Sequence, residues 1–452
     1  MAVNRREFLQ SGAAFALSGA ATRFAPEVSR SIALAAVGDC MITRRISMLD
    51  SPAFLDLIDV LRSADVAIGN FEMTLAESDA PPSYHEGCAY VHLRADSPDN
   101  RLIADELKWA GFKLMGLANN HSLDFAAQGM FSTIDKFDKE GLAHSGTGSD
   151  LAEARAPGYF DSPRGRVALV ACASTFPDYT QAADGNGEVV GRPGLNPVRL
   201  RTTYRVTAAQ LESLRAIATT IGATAPPAAT PANEMRFLNH SFVAGTPTGA
   251  EVIADPDDTS AQAASVRRAG RNSDLTVIGI HAHEADRAPE VPSRFLQPFA
   301  HAMIDAGADA FIGHGPHVLR GIEIYKNRPI FYSLGNFIFH GESARQIPSE
   351  IYRECKVAGN DPSDVFDKVL GGFSAAPYWQ TVVPVATFEN RKLTALKLYP
   401  VTLNPNLSRS MRGTPELAQG QEASQIIATI ARLSEPFRTT IRFDNGVGIV
   451  VV

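Results

Sequence analysis

The chain has 452 residues, is 45% hydrophobic and 20% charged, and carries a formal net charge of -7. That composition suits a soluble globular protein of one large or two ordinary domains. The negative balance and the unclustered basic residues argue against nucleic acid as a partner, and four scattered cysteines without a CxxC pair exclude a zinc knuckle or a disulfide framework while leaving room for one bridge.

In chain order, the first element is a leader. "NRREFLQSGAAFALSGAATRFA" sets Arg5 and Arg6 before Phe8, Leu9 and an Ala/Gly-rich apolar stretch. This is the pattern of a twin-arginine export signal, assigned to residues 1–30. The apolar stretch is too short for a stable anchor, and no other segment reads as transmembrane. Residues 31–452 are therefore expected as a periplasmic or extracellular domain without a membrane anchor.

"SIALAAVGD" reads as a buried strand, "PAFLDLIDVLRSA" as a helix and "ADVAIGNFE" as a second strand. "DNRLIADELKWAG" is a helix closed by Gly111, "FKLMGLANNH" a strand running into a loop, and "QGMFSTIDKFDKEG" a helix closed by Gly141. "GRVALVACAS" is again a strand. Residues 176–272 are Pro/Gly/Ala-rich and read as an insertion with one helix, "TAAQLESLRAIATTIG", and a flexible stretch around "ATAPPAATPANE". Beyond it come the strand "SDLTVIGIHAH", the helix "RFLQPFAHAMIDAG", the strand "ADAFIGHGPH", and hairpins turning at "KNRP" and "ENRK". A helix over "EASQIIATIARLSEPF" and a strand over "GVGIVVV" close the chain. Alternating strands and helices imply an α/β layered domain, with ligands bound at the carboxyl ends of the strands.

Five polar clusters end apolar strands: Gly38-Asp39; Asn70 with Glu72; Asn119, Asn120 and His121; His281 with His283; and His314 with His317. Each has a local explanation on its own. Asp39 could cap a helix, the Asn-Asn pair could supply left-handed turn residues, and His283 could face solvent or support a neighbour. Together they form a set of metal-ligand types, with imidazole, carboxylate and amide oxygen all present. Two cations roughly 3.5–4 Å apart are a known hydrolytic device. The chain has neither a GxSxG elbow nor a P-loop.

In that order and spacing "VGD", "ADVAIGNFE", "LANNHSLDF", "IGIHAH" and "IGHGPHVLRGIEIYKNRPIFYSLGNFIF" resemble the CapA family of poly-γ-glutamate capsule biosynthesis proteins, relatives of calcineurin-like metallophosphoesterases. The resemblance covers about residues 32–173 and 274–339. It implies a four-layer α/β/β/α sandwich with a metal site at one end. It places ligands on Asp39, Glu72, Asn119 or Asn120, His121, His281, His314 and His317. The chain departs from the wider superfamily at Met41, where the first motif usually has a histidine, and at Glu72, where aspartate is commoner. It has "HAH" and "HGPH" where many relatives read His-Trp-Gly and His-His-Pro-His. His283 is then available to replace a missing ligand, and the implied cofactor is one or two divalent cations (Mn, Zn or Fe).

The resemblance favours His121 as proton donor to the leaving group over a ligand role. Asp124 either orients His121 or caps the next helix, with capping favoured. Arg320 either meets an anionic substrate or sits on the surface. Two functional readings follow. One is an exported metal-dependent hydrolase acting on a cell-envelope polymer, a phosphoester or an amide, alongside envelope biosynthesis machinery. The other is a non-catalytic envelope protein that binds an anionic polymer.

Overall fold

Strand β1 (Ser31–Met41) is apolar almost throughout because both of its faces are covered. Leu34 and Ala36 turn to one core, and Ala35 and Val37 to another, the period-2 alternation of a strand inside a stack. The computed structural model describes residues 31–84, 93–94, 101–223, 231–340, 347–359 and 361–452. The leader at 1–30 and residues 224–230 of the stretch expected to be flexible lie outside them.

Two sheets face each other across that alternation. In the first, β2 (Val66–Phe71), β3 (Phe112–Gly116) and β4 (Ala143–Ser145) extend in parallel from β1. On the other side of β1 come β18 (Gln380–Glu389), β19 (Lys392–Thr402), β22 (Val447–Val450) and β21 (Ile441–Asp444), all antiparallel. The short β17 (Asn336–Phe339) lies beside the end of β1, and β20 (Glu416–Leu417) beside β19. The second sheet runs β15 (Leu319–Tyr325), β16 (Arg328–Leu334), β14 (Ala310–His314), β13 (Leu275–His281), β7 (Gly165–Ala173), β6 (Gly158–Ser162).

Helices complete four layers. α1 (Pro52–Ser63), α2 (Arg101–Ala110), α3 (Ala126–Glu140), α8 (Ser349–Glu354) and α9 (Pro362–Leu370) cover the outer face of the first sheet through Phe54, Leu57, Leu107, Phe137, Ile351 and Phe366. α6 (Pro256–Gly270) and α7 (Leu296–Asp305) cover the second through Val266, Ala269, Phe299 and Met303. Between the sheets, Leu34, Ile68 and Leu114 meet Leu169, Val277 and Ile312. α10 (Gly420–Ser434) closes one side with Ile426, Ile427 and Ile430. This is the α/β/β/α sandwich.

Both hairpins turn where the sequence places them. Lys326-Asn327 and Asn390-Arg391 all have positive φ, as two-residue turns matching the strand twist require. Within 176–272 the helix α5 (Ala208–Thr220) forms, with the Thr207 and Gln210 capping box at its start. The segment holds more than that one helix. β9 (Leu200–Val206), β10 (Glu234–Phe237), β11 (His240–Ala244) and β12 (Gly249–Ala254) make a separate four-stranded sheet, and α6 belongs to the main sandwich. The strands are half-exposed and rich in Thr, Arg and Glu, and the buried face of α6 includes Gln262 and Ser265, so neither carries a strong apolar period. A smaller pair joins β5 (Thr147–Gly148) to β8 (Gly194–Leu195), next to the one-turn α4 (Leu151–Ala154). Among the described residues no helix is long and apolar enough to cross a membrane. Cys40 and Cys172 are buried free thiols, while Cys355 is disulfide-bonded.

Candidate metal centre

The parallel strands β1, β2, β3, β13 and β14 all end at the same edge of the sandwich. Asp39 lies at the end of β1, where the strand changes neighbour from β18 to β17 across a bulge at Asp39/Cys40. Gly38 makes the close approach possible: a Cβ there would sit 1.9 Å from the Gly335 carbonyl oxygen. Asp39 accepts hydrogen bonds from Asn70 Nδ2 (2.8 Å) and from the Gly315 backbone N–H (3.0 Å).

Glu72 follows β2 and is the hub of the site. Its Oε1 lies 3.6 Å from His281 Nε2, 3.7 Å from His317 Nε2, and 4.0 Å from both His283 Nε2 and His121 Nε2. Asp39 in turn lies 3.5 Å from His317 Nδ1, 3.6 Å from His314 Nδ1 and 3.9 Å from His281 Nδ1. Two ligand-type triads result, Asp39–Glu72–His281 and Glu72–His283–His317, and they share Glu72.

The hydrogen-bond network assigns the imidazole protons. Asn336 Nδ2 is held by the Tyr378 carbonyl oxygen at 3.0 Å, so its Oδ1 is the acceptor facing His317 Nδ1 at 2.8 Å. Neutral His317 therefore carries its proton on Nδ1 and turns the Nε2 lone pair toward Glu72. Asn70 Nδ2 lies 2.8 Å from Asp39 Oδ1 and 3.2 Å from His281 Nδ1, and His281 Nε2 lies 2.9 Å from His283 Nε2, so the ring is held at both nitrogens. His317 itself sits at φ 59, a left-handed conformation uncommon outside glycine.

Burial sets the protonation states. It pushes His281 down to about 3, against the opposing pull of Asp39. His283 falls well below its ordinary value, and His314 is also lowered, both chiefly through burial. Burial would raise Asp39, but the His317 hydrogen bond and the neighbouring imidazoles outweigh it and hold the carboxyl below the usual range. Glu72 is raised well above its ordinary value by burial and by the charges of Asp39 and Asp124.

Glu72 is fully buried, and among the described residues neither of its carboxylate oxygens has a hydrogen-bond partner. An ionised carboxylate in that position costs several kcal/mol unless a cation offsets it. His314 Nδ1 is likewise buried without a hydrogen-bond partner among the described residues. Oxygen and nitrogen donors lie ~2.0–2.2 Å from a zinc-sized ion, so tetrahedral neighbours are roughly 3.4 Å apart. The spacings of 3.5–4.0 Å around Asp39 and Glu72 are close to that. The donor set therefore fits a divalent cation of the Zn, Fe or Mn kind.

Other expected residues take different places. Asn119 is committed to the turn: its Nδ2 donates to the Phe71 carbonyl (2.8 Å) and its Oδ1 accepts from His121 N (3.0 Å). Asn120 is buried beside it. His121 Nδ1 meets Asp124 Oδ2 at 2.8 Å, so Asp124 orients His121. It is not the cap of α3, whose N-cap is Phe125 without a side-chain bond, and Asp124 Oδ2 also accepts from Leu93 N at 2.6 Å. Arg320 is not at the surface, and its guanidinium is taken up by backbone carbonyls. It is fully buried, with its guanidinium on the carbonyls of Pro289 (2.9 Å), Ala282 (3.4 Å), His283 (3.3 Å) and Glu284 (2.9 Å). Through those four acceptors Arg320 clamps the loop that carries His283. Met41, at the superfamily's histidine position, packs in the outer core.

Asn336 was not among the expected site residues. Its signal is the repeated strand-end "GNF", at Gly69–Phe71 and again at Gly335–Phe337. Aromatic rings wall this side: Phe373 lies 5.6 Å and Phe339 6.2 Å from the His317 ring.

Comparison with known proteins places these features in context. A family model described as "Bacterial capsule synthesis protein PGA_cap" matches residues 33–341. The uncharacterized protein y4sH of Sinorhizobium fredii is 36% identical over 438 residues, covering 92% of each chain. The PGA biosynthesis protein CapA of Bacillus subtilis is 26% identical over 309 residues, 67% of this chain and 62% of that one. The capsule biosynthesis protein CapA of Bacillus anthracis is 26% identical over 308 residues, 67% and 58% of the two chains.

Proposed function

This chain belongs to the bacterial capsule synthesis protein family, and on that premise we propose that it is an exported metal-dependent hydrolase of a cell-envelope polymer, cutting a phosphoester or amide bond. The observation that carries the reading is Glu72: a fully buried carboxylate, shared by two ligand-type triads, with neither oxygen hydrogen-bonded among the described residues. Asp39, Glu72, His281, His283, His314 and His317 would hold one or two divalent cations. Cations bound there supply Lewis acidity, polarising the scissile phosphoryl or carbonyl group and acidifying a water.

The chain's own residues supply the rest. Asp124 accepts from His121 Nδ1, which leaves Nε2 as the proton-exchanging atom beside Glu72. From Nε2 a proton can pass to the departing oxygen or nitrogen. Asn336 and Asn70 fix the rings of His317 and His281. Arg320 holds the His283 backbone. The Arg5-Arg6 leader supports export by the twin-arginine route to the periplasm or beyond, and the bridged Cys355 suits an oxidising compartment.

One observation favours a second reading. With Met41 buried in the core, one ligand of the wider superfamily is absent, as suits a protein that binds an anionic polymer without cutting it. Elemental analysis of the purified protein, with assays of p-nitrophenyl phosphodiesters and γ-glutamyl peptides with and without chelator, separates the two. Chelator-sensitive turnover supports the hydrolase. Bound metal without turnover on either substrate class supports the binder. Metal content untouched by both Asp39→Ala and His317→Ala would overturn the ligand assignment.

A further inference from the structure

The aromatic wall beside His317 continues away from the metal centre. Phe339 meets Trp379 at 5.2 Å between ring centroids, in a T-shaped contact. Beyond Trp379 opens a cavity of about 310 Å³, at the small end of the ~300–1,000 Å³ of small-molecule sites. It lies at the same edge of the first sheet as the centre. β18 is antiparallel to β1 and β19 to β18, so the start of β18 and the end of β19 share an edge with the end of β1.

We propose that this cavity is a binding site for a neutral sugar unit. Its lining includes one edge of the largely buried Trp379, whose Nε1–H is donated to the Phe373 carbonyl at 2.8 Å, with Gln380, Asn404 and Asn406 as amides, Thr402 as a hydroxyl and Glu422 as a carboxylate. Amides and a carboxylate can pair with the adjacent hydroxyls of a sugar, each of which both donates and accepts. An aromatic side wall gives such a ring an apolar surface. Among the described residues no Lys or Arg lines the cavity itself, and the Arg412 guanidinium carbon lies 5.9 Å from the Trp379 ring centroid, so the one charge in the lining is the Glu422 carboxylate, which favours a neutral ligand over an anionic one. A peptide added as a strand needs an open ladder. Here Gln380 pairs with Thr402, and Thr402 with Glu416, leaving side chains to make the contacts. Asn404 is shaped for display, with φ 52 and its Nδ2 fixed on Glu416 at 3.0 Å, which leaves Oδ1 as its variable acceptor.

If the two sites serve one substrate, the polymer carries sugar next to the bond that is cut. That extension rests on the hydrolase reading, whereas sugar binding does not. The chain has two tryptophans, so Trp109→Phe leaves Trp379 as the sole indole reporter. Full-length protein with that change is titrated with neutral chito- and malto-oligosaccharides, and with γ-glutamyl peptide for comparison. The titrations are run with metal and after chelation. The expected result is a saturable fluorescence change with a neutral oligosaccharide, Kd on the order of 1 mM or tighter, in both metal states. Glu422→Ala and Gln380→Ala should each weaken it about tenfold or more while leaving metal content unchanged. Absence of any saturable response to both sugar series, or an equal response to γ-glutamyl peptide, overturns the proposal. Sugar binding in a protein that holds no metal would overturn the hydrolase and leave this site standing.

Discussion

Glu72→Gln isolates the electrostatics of the centre, because it keeps the side chain's volume and removes its charge. In metal-stripped protein the folded carboxyl is raised well above 4.5, chiefly by burial. Between its unfolded and folded values the native state holds a proton that the unfolded chain has released, so stability falls as pH rises. One group contributes at most about 1.4 kcal/mol per pH unit. His281 works in the opposite sense. Burial lowers it from 6.5 to about 3, so the unfolded chain holds the extra proton and stability rises with pH across that interval, by up to about 5 kcal/mol. His283 and His314 are lowered too and steepen the same limb. Above 6.5 these histidines are neutral in both states and Glu72 sets the slope. Stripped wild type should therefore lose stability as pH rises above 6.5, until the folded carboxyl of Glu72 ionises. Glu72→Gln should abolish the alkaline decline and bind no metal. Saturating cation should abolish it in wild type, since the ion takes the proton's place. Urea unfolding across pH, with and without chelator, reads this directly. A stripped wild type whose stability is flat or rising from about pH 7 to about pH 8, or a Gln variant that declines equally, would refute the reasoning.

Asn336→Ala removes the acceptor that fixes His317; metal affinity should drop about 10- to 100-fold by equilibrium competition with a chelating dye, with the circular dichroism spectrum unchanged. Arg320→Ala strips four backbone carbonyls of their donor, and urea unfolding should show a loss on the order of 3 kcal/mol; Arg320→Lys should recover only part of it, because an ammonium lacks the planar fork. If the hydrolase reading holds, His121→Ala should keep its metal and lose roughly 10²–10⁴ in kcat, and Asp124→Asn should shift the pH profile of whatever activity remains. Equal metal loss in His121→Ala would instead make His121 a ligand.

The layers were legible because their residues are locally consistent. β1, β2, β3, β7, β13 and β14 are short apolar runs, since each is buried on both faces. Their helices end at Gly111, Gly141 and Gly307, each with positive φ. What stayed hidden lacks such a period. β4 has three residues, and the sheet of β9 to β12 is half-exposed and interleaved with charge, so its composition reads as loop. The pairing of β9 with β11 is parallel and bridges a long gap in sequence, which no local pattern announces.

The centre divides along a different line. Asp39, Glu72, His281, His283, His314 and His317 end strands whose common direction puts their tips together, and strand direction can be argued from sequence. The groups that hold them cannot. Asn336 acts on His317 through a hydrogen bond across a turn, and Arg320 acts on the His283 loop through backbone carbonyls. Neither contact depends on the partner's residue type in a way that spacing would reveal. Arg320 also shows why residue type misleads. Three positions after His317, a guanidinium suggests an anion site, yet its depth is set by Leu319 and Ile322 on the same strand, both buried. Burial lowers its pKa to about 10, so it stays charged at neutral pH, and carbonyl dipoles satisfy that charge. A metal centre built on strand tips thus depends on residues that look like ordinary surface chemistry in the sequence and become positioning groups only once the two sheets close over them.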